Sequence, residues 1–230
     1  MTELIRSLFC ENNMEKFADK ADAFAVLLKE LLQFNETTNL TAITEPREVV
    51  IRHFIDSLTV ADEIPEGANV IDVGCGGGFP TLPLAIARPD LTITALDSTA
   101  KKLTFVDKMA KILSLNVRAL AARAEEIPEC REKFDVCVSR AVARMNLLTE
   151  LCLPQVKVGG KFIAMKAQSG EEELAEARGG IETLGGKVAK TDAFTLADAG
   201  ERYLITVDKI AHTPSAYPRP WGKIKKKPLG

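Results

Sequence analysis

Hydrophobic residues recur along the first part of the chain at helical spacing. Phe17, Ala21, Phe24, Leu28 and Leu31 step by four and three, one stripe of an amphipathic helix. A break follows over 37–44, with Asn35 and Asn39 beside it. Val49/Val50, His53/Phe54, Ser57/Leu58 and Ala61 form a second stripe, and Pro65-Glu66-Gly67 closes this part. From Ala68 onwards the pattern changes. Short apolar runs alternate with amphipathic stretches, as expected of a parallel sheet covered by helices on both faces. The spacing predicts strands over 69–73, 91–96, 116–121, 134–139 and 161–166, a weaker strand after Gly185-Gly186, and a last one over 203–210. It predicts helices over 81–87, 100–113, 145–151 and 171–184, with Gly159-Gly160 as a turn into the fifth strand. The two final strands have no helix between them, which predicts an antiparallel pair. The expected fold is α/β and Rossmann-like: a mostly parallel seven-stranded sheet with an antiparallel last strand. An N-terminal helical extension (1–66) precedes the main domain (67–212), and a basic tail (213–230) follows it.

The stretch Val70-Ile-Asp-Val-Gly-Cys-Gly-Gly-Gly-Phe-Pro80 organises the main domain. A buried strand runs into four glycines and then into a helix, with Pro80 at the helix start. Such a turn lets backbone approach a nucleotide-like ligand with no Cβ in the way. The dinucleotide fingerprint requires Gly at turn positions one, three and six. Those positions hold Gly74, Gly76 and Phe79, so that fingerprint fails. The phosphate-binding P-loop fails too, because no Gly-Lys-Ser/Thr follows. Asp72, Gly74, Gly76 and Gly78 fit D-x-G-x-G-x-G instead, a pattern typical of enzymes that use S-adenosylmethionine.

Charge adds a second theme. The chain is slightly acidic overall, with net charge −2, but residues 1–66 carry 13 acids against 6 bases. Residues 211–230 carry 5 bases and no acid. A localised basic end beside Tyr217 and Trp221 suits phosphate pairing and base stacking. Five cysteines without a C-x-x-C pair predict reduced thiols, with no disulfide framework and no zinc site. No signal peptide and no membrane-spanning run is visible, so a cytoplasmic protein is expected.

Candidate site residues follow from the strand ends, where open α/β sheets bind ligands. Asp97 ends the second strand, 23 residues after Gly74, and suits a ribose diol; Ser98 and Thr99 share that edge. Ala124 and Glu125 follow the third strand and can reach an adenine. Arg140 ends the fourth strand, with Arg144 further on. That position lacks the Asp/Asn-Pro-Pro-aromatic motif of amino-group base methyltransferases and the Pro-Cys nucleophile of C5-pyrimidine enzymes. A ring nitrogen such as guanine N7 has a free lone pair and needs no deprotonation, so positioning can supply most of the catalysis. His53 reads first as a satisfied buried histidine. Arg140, Arg144, Lys166, Arg219, Lys225, Lys226 and Lys227 are the candidates for RNA contact. The tail is expected to leave the donor site untouched.

Taken together, His53-Phe-Ile-Asp-Ser-Leu58, Val70–Pro83, Leu96-Asp-Ser98 with Lys101-Lys-Leu103, Arg123-Ala-Glu-Glu126, Phe134–Ala143, Tyr217-Pro-Arg219 and Lys226-Lys-Pro-Leu229 resemble a known family. They are similar to the bacterial small-subunit ribosomal RNA guanine-N7 methyltransferases, also called the glucose-inhibited division protein B family. The resemblance implies a class I S-adenosylmethionine-dependent fold and N7 of one guanine in 16S rRNA as acceptor. It maps the family's cofactor contacts onto Gly74, Phe79, Asp97, Ser98, Thr99, Ala124, Glu125 and Arg140. No metal and no membrane are implied. Thr81 stands where the family often has Gly, and Trp221 interrupts a usually more basic tail. Rival readings are a methyltransferase for a small molecule or protein, a nicotinamide-dependent oxidoreductase, and a non-catalytic RNA-binding module.

Overall fold

The computed structural model describes residues 1–230. Strands β1 (Asn69–Val73), β2 (Thr92–Asp97), β3 (Val117–Ala121), β4 (Phe134–Arg140), β5 (Val156–Lys166), β6 (Gly186–Leu196) and β7 (Gly200–Lys209) form one sheet. Their order is β3-β2-β1-β4-β5-β7-β6. Only β7 runs against its neighbours, β5 and β6.

Side chains alternate across this sheet into two apolar clusters. Val70 faces one, and Ile71 and Val73 the other. Val136 and Val138 on β4, and Ile163 and Met165 on β5, join Val70; Cys137, Phe162 and Ala164 join Ile71. Both faces are covered, which is why these strands read as continuous apolar runs. Helices Thr81–Ala87 and Ala100–Ile112 contribute to the first cluster, and so do the N-terminal helices Thr2–Glu11 and Ala21–Thr38. Phe24 sits 5.1 Å from Phe9 and 5.3 Å from Phe54, ring centre to ring centre. Residues 1–66 thus share a core with the sheet. Helices Met145–Cys152 and Gly170–Thr183 cover the second cluster.

One local reading of the sequence is corrected and two are extended. Gly159 and Gly160 do not form a turn before the fifth strand but lie inside β5, beside a register shift against β4. A Cβ on Gly160 would stand 2.5 Å from the Asp135 carbonyl oxygen, so the glycine answers to a close strand approach. The weak sixth strand is an 11-residue edge strand, whose exposed positions dilute its apolar signal. The second N-terminal stripe is a continuous helical segment over 46–58 that widens into a π turn at Val50–Ile55. Such turns interrupt the regular ladder and often lie at functional sites.

The last residues are folded too. A short helix, Trp221–Lys226, buries Ile224 completely. Arg131 donates to the carbonyls of Tyr217 and Thr213. No helix of the protein is long and apolar enough to cross a membrane.

Candidate active site

A cleft of about 490 Å³ opens at the C-terminal ends of β1, β2, β3 and β4. The chain reverses its direction of winding between β1 and β4, and open α/β sheets leave a ligand crevice at such a switch point. The floor is the glycine turn after β1. Gly74 and Cys75 donate their N–H groups to the Leu96 carbonyl at 2.8 and 3.0 Å, tying the turn to β2. Gly74 has φ +78, and a Cβ there would lie 2.4 Å from Val142 Cγ2. Gly76 has φ +57 and open space where its Cβ would point. The left-handed backbone and the close approach both require glycine at position 74.

Asp72 lies beneath the turn. Its Oδ2 accepts from the Thr81 N–H at 3.2 Å and from Thr81 Oγ1 at 2.6 Å, which anchors the following helix. Thr81 thus has a role of its own here, fixing the start of the helix to Asp72. Complete burial raises the Asp72 carboxyl from 3.8 to about 7, against the two Thr81 hydrogen bonds that favour the charged form. Because the folded pKa lies above the unfolded one, protonated Asp72 favours the fold. Stability falls as pH rises from about 4 to about 7, by up to roughly 4 kcal/mol. Asp72→Asn keeps an acceptor for Thr81 and removes this loss. Denaturation of both proteins at pH 5 and pH 8 is expected to show a smaller pH difference in the variant. Equal differences would rule the ionisation of Asp72 out as the cause.

One wall comes from β2 and β3. Asp97 Oδ2 accepts from the Gly76 N–H at 2.9 Å and its Oδ1 from the Thr99 N–H at 2.8 Å. The carboxylate is oriented by backbone, and each oxygen retains acceptor capacity toward the cleft. Ser98 and Thr99 line the cleft beside it. Across from them, the Ala124 carbonyl accepts from Gln155 Nε2 at 2.9 Å, which holds that loop in place. The Glu125 side chain is 4% exposed; its Oε1 makes no hydrogen bond, and Arg123 Nη1 stands 3.6 Å from it. That distance is too long for a hydrogen bond, so the carboxylate keeps acceptor capacity for a donor from a ligand.

The opposite wall joins the N-terminal segment to the end of β4. Arg140 Nη1 pairs with Asp56 at 2.7 Å and donates to the Arg52 carbonyl at 3.0 Å, on the π turn. Asp56 also takes Arg202 at 2.8 Å, so one buried carboxylate joins two arginines. Arg140 stands 5.8 Å over the Phe79 ring, and its buried Nε has no partner. His53 stacks on Phe79 at 4.7 Å. Burial, then the charge of Arg140, lowers His53 from 6.5 to about 4, so the imidazole is neutral near pH 7. Arg140 Nη2 lies 3.4 Å from His53 Nδ1 and Thr41 Oγ1 lies 2.8 Å from Nε2. An arginine can only donate, so Nδ1 accepts and Nε2 carries the hydrogen. With both nitrogens engaged, His53 is a wall of the cleft and not a free base.

The family model described as GidB, rRNA small subunit methyltransferase G, matches residues 20–203. The chain belongs to that family. Curated relatives named ribosomal RNA small subunit methyltransferase G run almost the full length. That of Lactobacillus delbrueckii subsp. bulgaricus is 43% identical, with 99% of each chain covered. That of Brevibacillus brevis is 46% identical, with 90% of each covered. Solved structures share the fold at lower identity. A SAM-dependent methyltransferase from Methanosarcina mazei aligns at TM-score 0.56 and 13% identity, over 67% of this chain and 98% of that one. M. jannaschii TYW2 in complex with AdoMet aligns at TM-score 0.55 and 17% identity, over 68% and 75%.

In this member of the methyltransferase G family, the structure brings Gly74, Phe79, Asp97, Ser98, Thr99, Ala124, Glu125 and Arg140 to one cleft. The candidates for RNA contact scatter. Lys166 is corrected: it is 8% exposed, paired with Glu173 at 2.6 Å and donating to the Ala143 carbonyl. Arg219 is corrected likewise, since it forks onto the fully buried Glu150 at 2.8 and 2.5 Å. Both cations neutralise buried acids and are not offered to a phosphate. Arg144 lies outside the cleft, paired with Glu176 at 2.7 Å and Glu172 at 3.5 Å. Lys225, Lys226 and Lys227 are exposed. Sequence reasoning missed Leu40, Thr41, Lys102, Val142 and Trp221 as cleft residues; His53 is the satisfied histidine that it suggests, but stands at the cleft wall. The polar residues of the His53-Phe-Ile-Asp-Ser-Leu58 stretch, inside an otherwise apolar stripe, were the available signal for His53 and Asp56.

Proposed function

We propose that this protein transfers a methyl group from S-adenosylmethionine to N7 of a guanine in 16S rRNA, acting in the cytoplasm. The observation that carries the donor assignment is the presence, in one cleft, of the buried Glu125 carboxylate and the backbone-oriented Asp97. Glu125 fits the exocyclic amino group of an adenine, and Asp97 fits the hydroxyls of a ribose. The open turn at Gly76 leaves room between them. The family membership supports a ribosomal RNA acceptor, and the lone pair of N7 fits a cleft in which His53 has no free nitrogen to serve as base.

Bound there, S-adenosylmethionine supplies an electrophilic methyl on a sulfonium. The chain's own residues hold and orient the reactants. Asp97, Glu125 and the glycine turn fix the donor. Phe79, His53 and Val142 shield the cleft from water, and Arg140 presents a cation at the acceptor side. Such positioning replaces acid–base catalysis when the nucleophile is already unprotonated. Incubation of labelled donor with small-subunit particles from a strain lacking the protein, followed by mapping of the label, is expected to mark one guanine at N7. Label on an exocyclic amine or on protein refutes the acceptor.

The exposed lysines of the C-terminal end are the remaining candidates for phosphate contact. Neutralising Lys225, Lys226 and Lys227 together is expected to weaken RNA binding. It should also flatten the slope of log affinity against log salt by roughly 0.7 per lost contact with single-stranded RNA. Filter-binding titrations at several salt concentrations read both. Identical slopes would show that these lysines do not meet the RNA.

A further inference from the structure

The C-terminal end, expected to lie apart from the donor site, contributes a residue to it. Trp221 lines the cleft together with Leu151, Ala124 and Glu125. Helix Met145–Cys152 touches both the Ala124–Glu126 turn and the short helix that Trp221 begins. Trp221 is half-buried, packs against the second apolar cluster and lines the cleft. Its seat is built on two sides. Two residues before it, Arg219 is held by the buried Glu150 through both the side chain and the backbone N–H at 2.8 Å. Three residues after it, Ile224 is fully buried. An aromatic ring fixed in this way at the mouth of a nucleoside cleft offers a flat apolar face with little further ordering cost.

We infer that Trp221 is a cofactor-contacting residue that closes the adenine end of the cleft by packing its indole on the purine. The inference rests on the S-adenosylmethionine reading of the cleft. Aromatic packing on a base is worth roughly five- to hundredfold in affinity. The adenine is thereby held by the Glu125 edge contact and by an aromatic face, and the second comes from the last ten residues of the chain. A seat shared between donor and C-terminal end also ties donor affinity to the docking of residues 213–230 through the Arg219–Glu150 pair.

Trp221 is the chain's one tryptophan, so its emission reports this position alone. Titration of the wild-type protein with S-adenosylmethionine, and separately with S-adenosylhomocysteine, is expected to change the emission and to shield it from acrylamide. Calorimetry on the same protein gives the affinity independently. Trp221→Ala is expected to bind the donor about tenfold more weakly or worse, while Trp221→Phe keeps most of the affinity. If calorimetry shows binding but emission and shielding stay constant, and Trp221→Ala binds as the wild type does, the Trp221 contact is overturned and the donor reading stands. If calorimetry shows no binding to the wild type, the donor reading itself is overturned, and this contact with it. The wild-type titration needs no variant, so a failure of Trp221→Ala to fold leaves the test intact.

Discussion

Asp56→Ala is expected to destabilise the protein by about 3–5 kcal/mol. Asp56 is 8% exposed at its side chain, and it bridges Arg140 at the end of β4 to Arg202 at the start of β7. Removing it leaves two largely buried guanidinium groups without a counter-charge, at 14% and 19% exposure. The dominant cost is that of the stranded cations, not of the lost attraction. Asp56 is also the point at which the N-terminal helical segment is fastened to the sheet, so the loss falls on the wall of the cleft. Methyl transfer is expected to fall with it, because Arg140 loses the contact that aims it. Asp56→Asn keeps an acceptor oxygen and should cost less. Denaturant midpoints for the three proteins decide the matter. A change below about 1 kcal/mol in Asp56→Ala would show that water reaches the two arginines and that the bridge is not what holds the wall.

Asp97→Ala is expected to weaken S-adenosylmethionine binding by roughly two to four orders of magnitude. A hydrogen bond to a charged group contributes about 1.5–3 kcal/mol, and a ribose diol offers two. A second loss adds to the first. Asp97 also receives the N–H groups of Gly76 and Thr99, so the glycine turn loses one of its fastenings to the β2 end and keeps those of Gly74 and Cys75 to Leu96. Asp97→Asn separates the two effects, since an amide oxygen still accepts from one donor. Calorimetry with the donor measures the affinity, and thermal unfolding without it measures the turn. Unchanged affinity in Asp97→Ala would remove the ribose assignment and leave Asp97 as a turn-fastening residue.

Much of the site is legible in sequence because its parts are local. Asp72, Gly74, Gly76 and Gly78 lie within seven residues, and a strand, a turn and a helix start suffice to place them. Asp97 and Glu125 follow from the rule that ligands meet strand ends, once β2 and β3 are recognised. What the sequence does not show is which partner each charge takes. Arg140 meets Asp56 across 84 positions, and Arg219 meets Glu150 across 69. A lysine or arginine looks the same in sequence whether it awaits a phosphate or neutralises a buried carboxylate, which is why Lys166 and Arg219 were placed at the RNA.

The class of the fold, the position of the glycine turn and the acids at the strand ends are all readable along the chain. Each is written in alternation, in glycine spacing or in short offsets, all of which act through local backbone geometry. Which charges are free, that His53 walls the cleft as a neutral imidazole, and that Trp221 lines the cleft become visible only in the folded molecule. Burial and charge pairing are properties of surfaces brought together by the sheet order, and no short stretch of chain encodes them. The docked C-terminal end is the clearest case. Its basic composition reads as an end suited to phosphates, yet Ile224 joins the second apolar cluster and Arg219 pairs with the buried Glu150, contacts made between residues far apart in the chain.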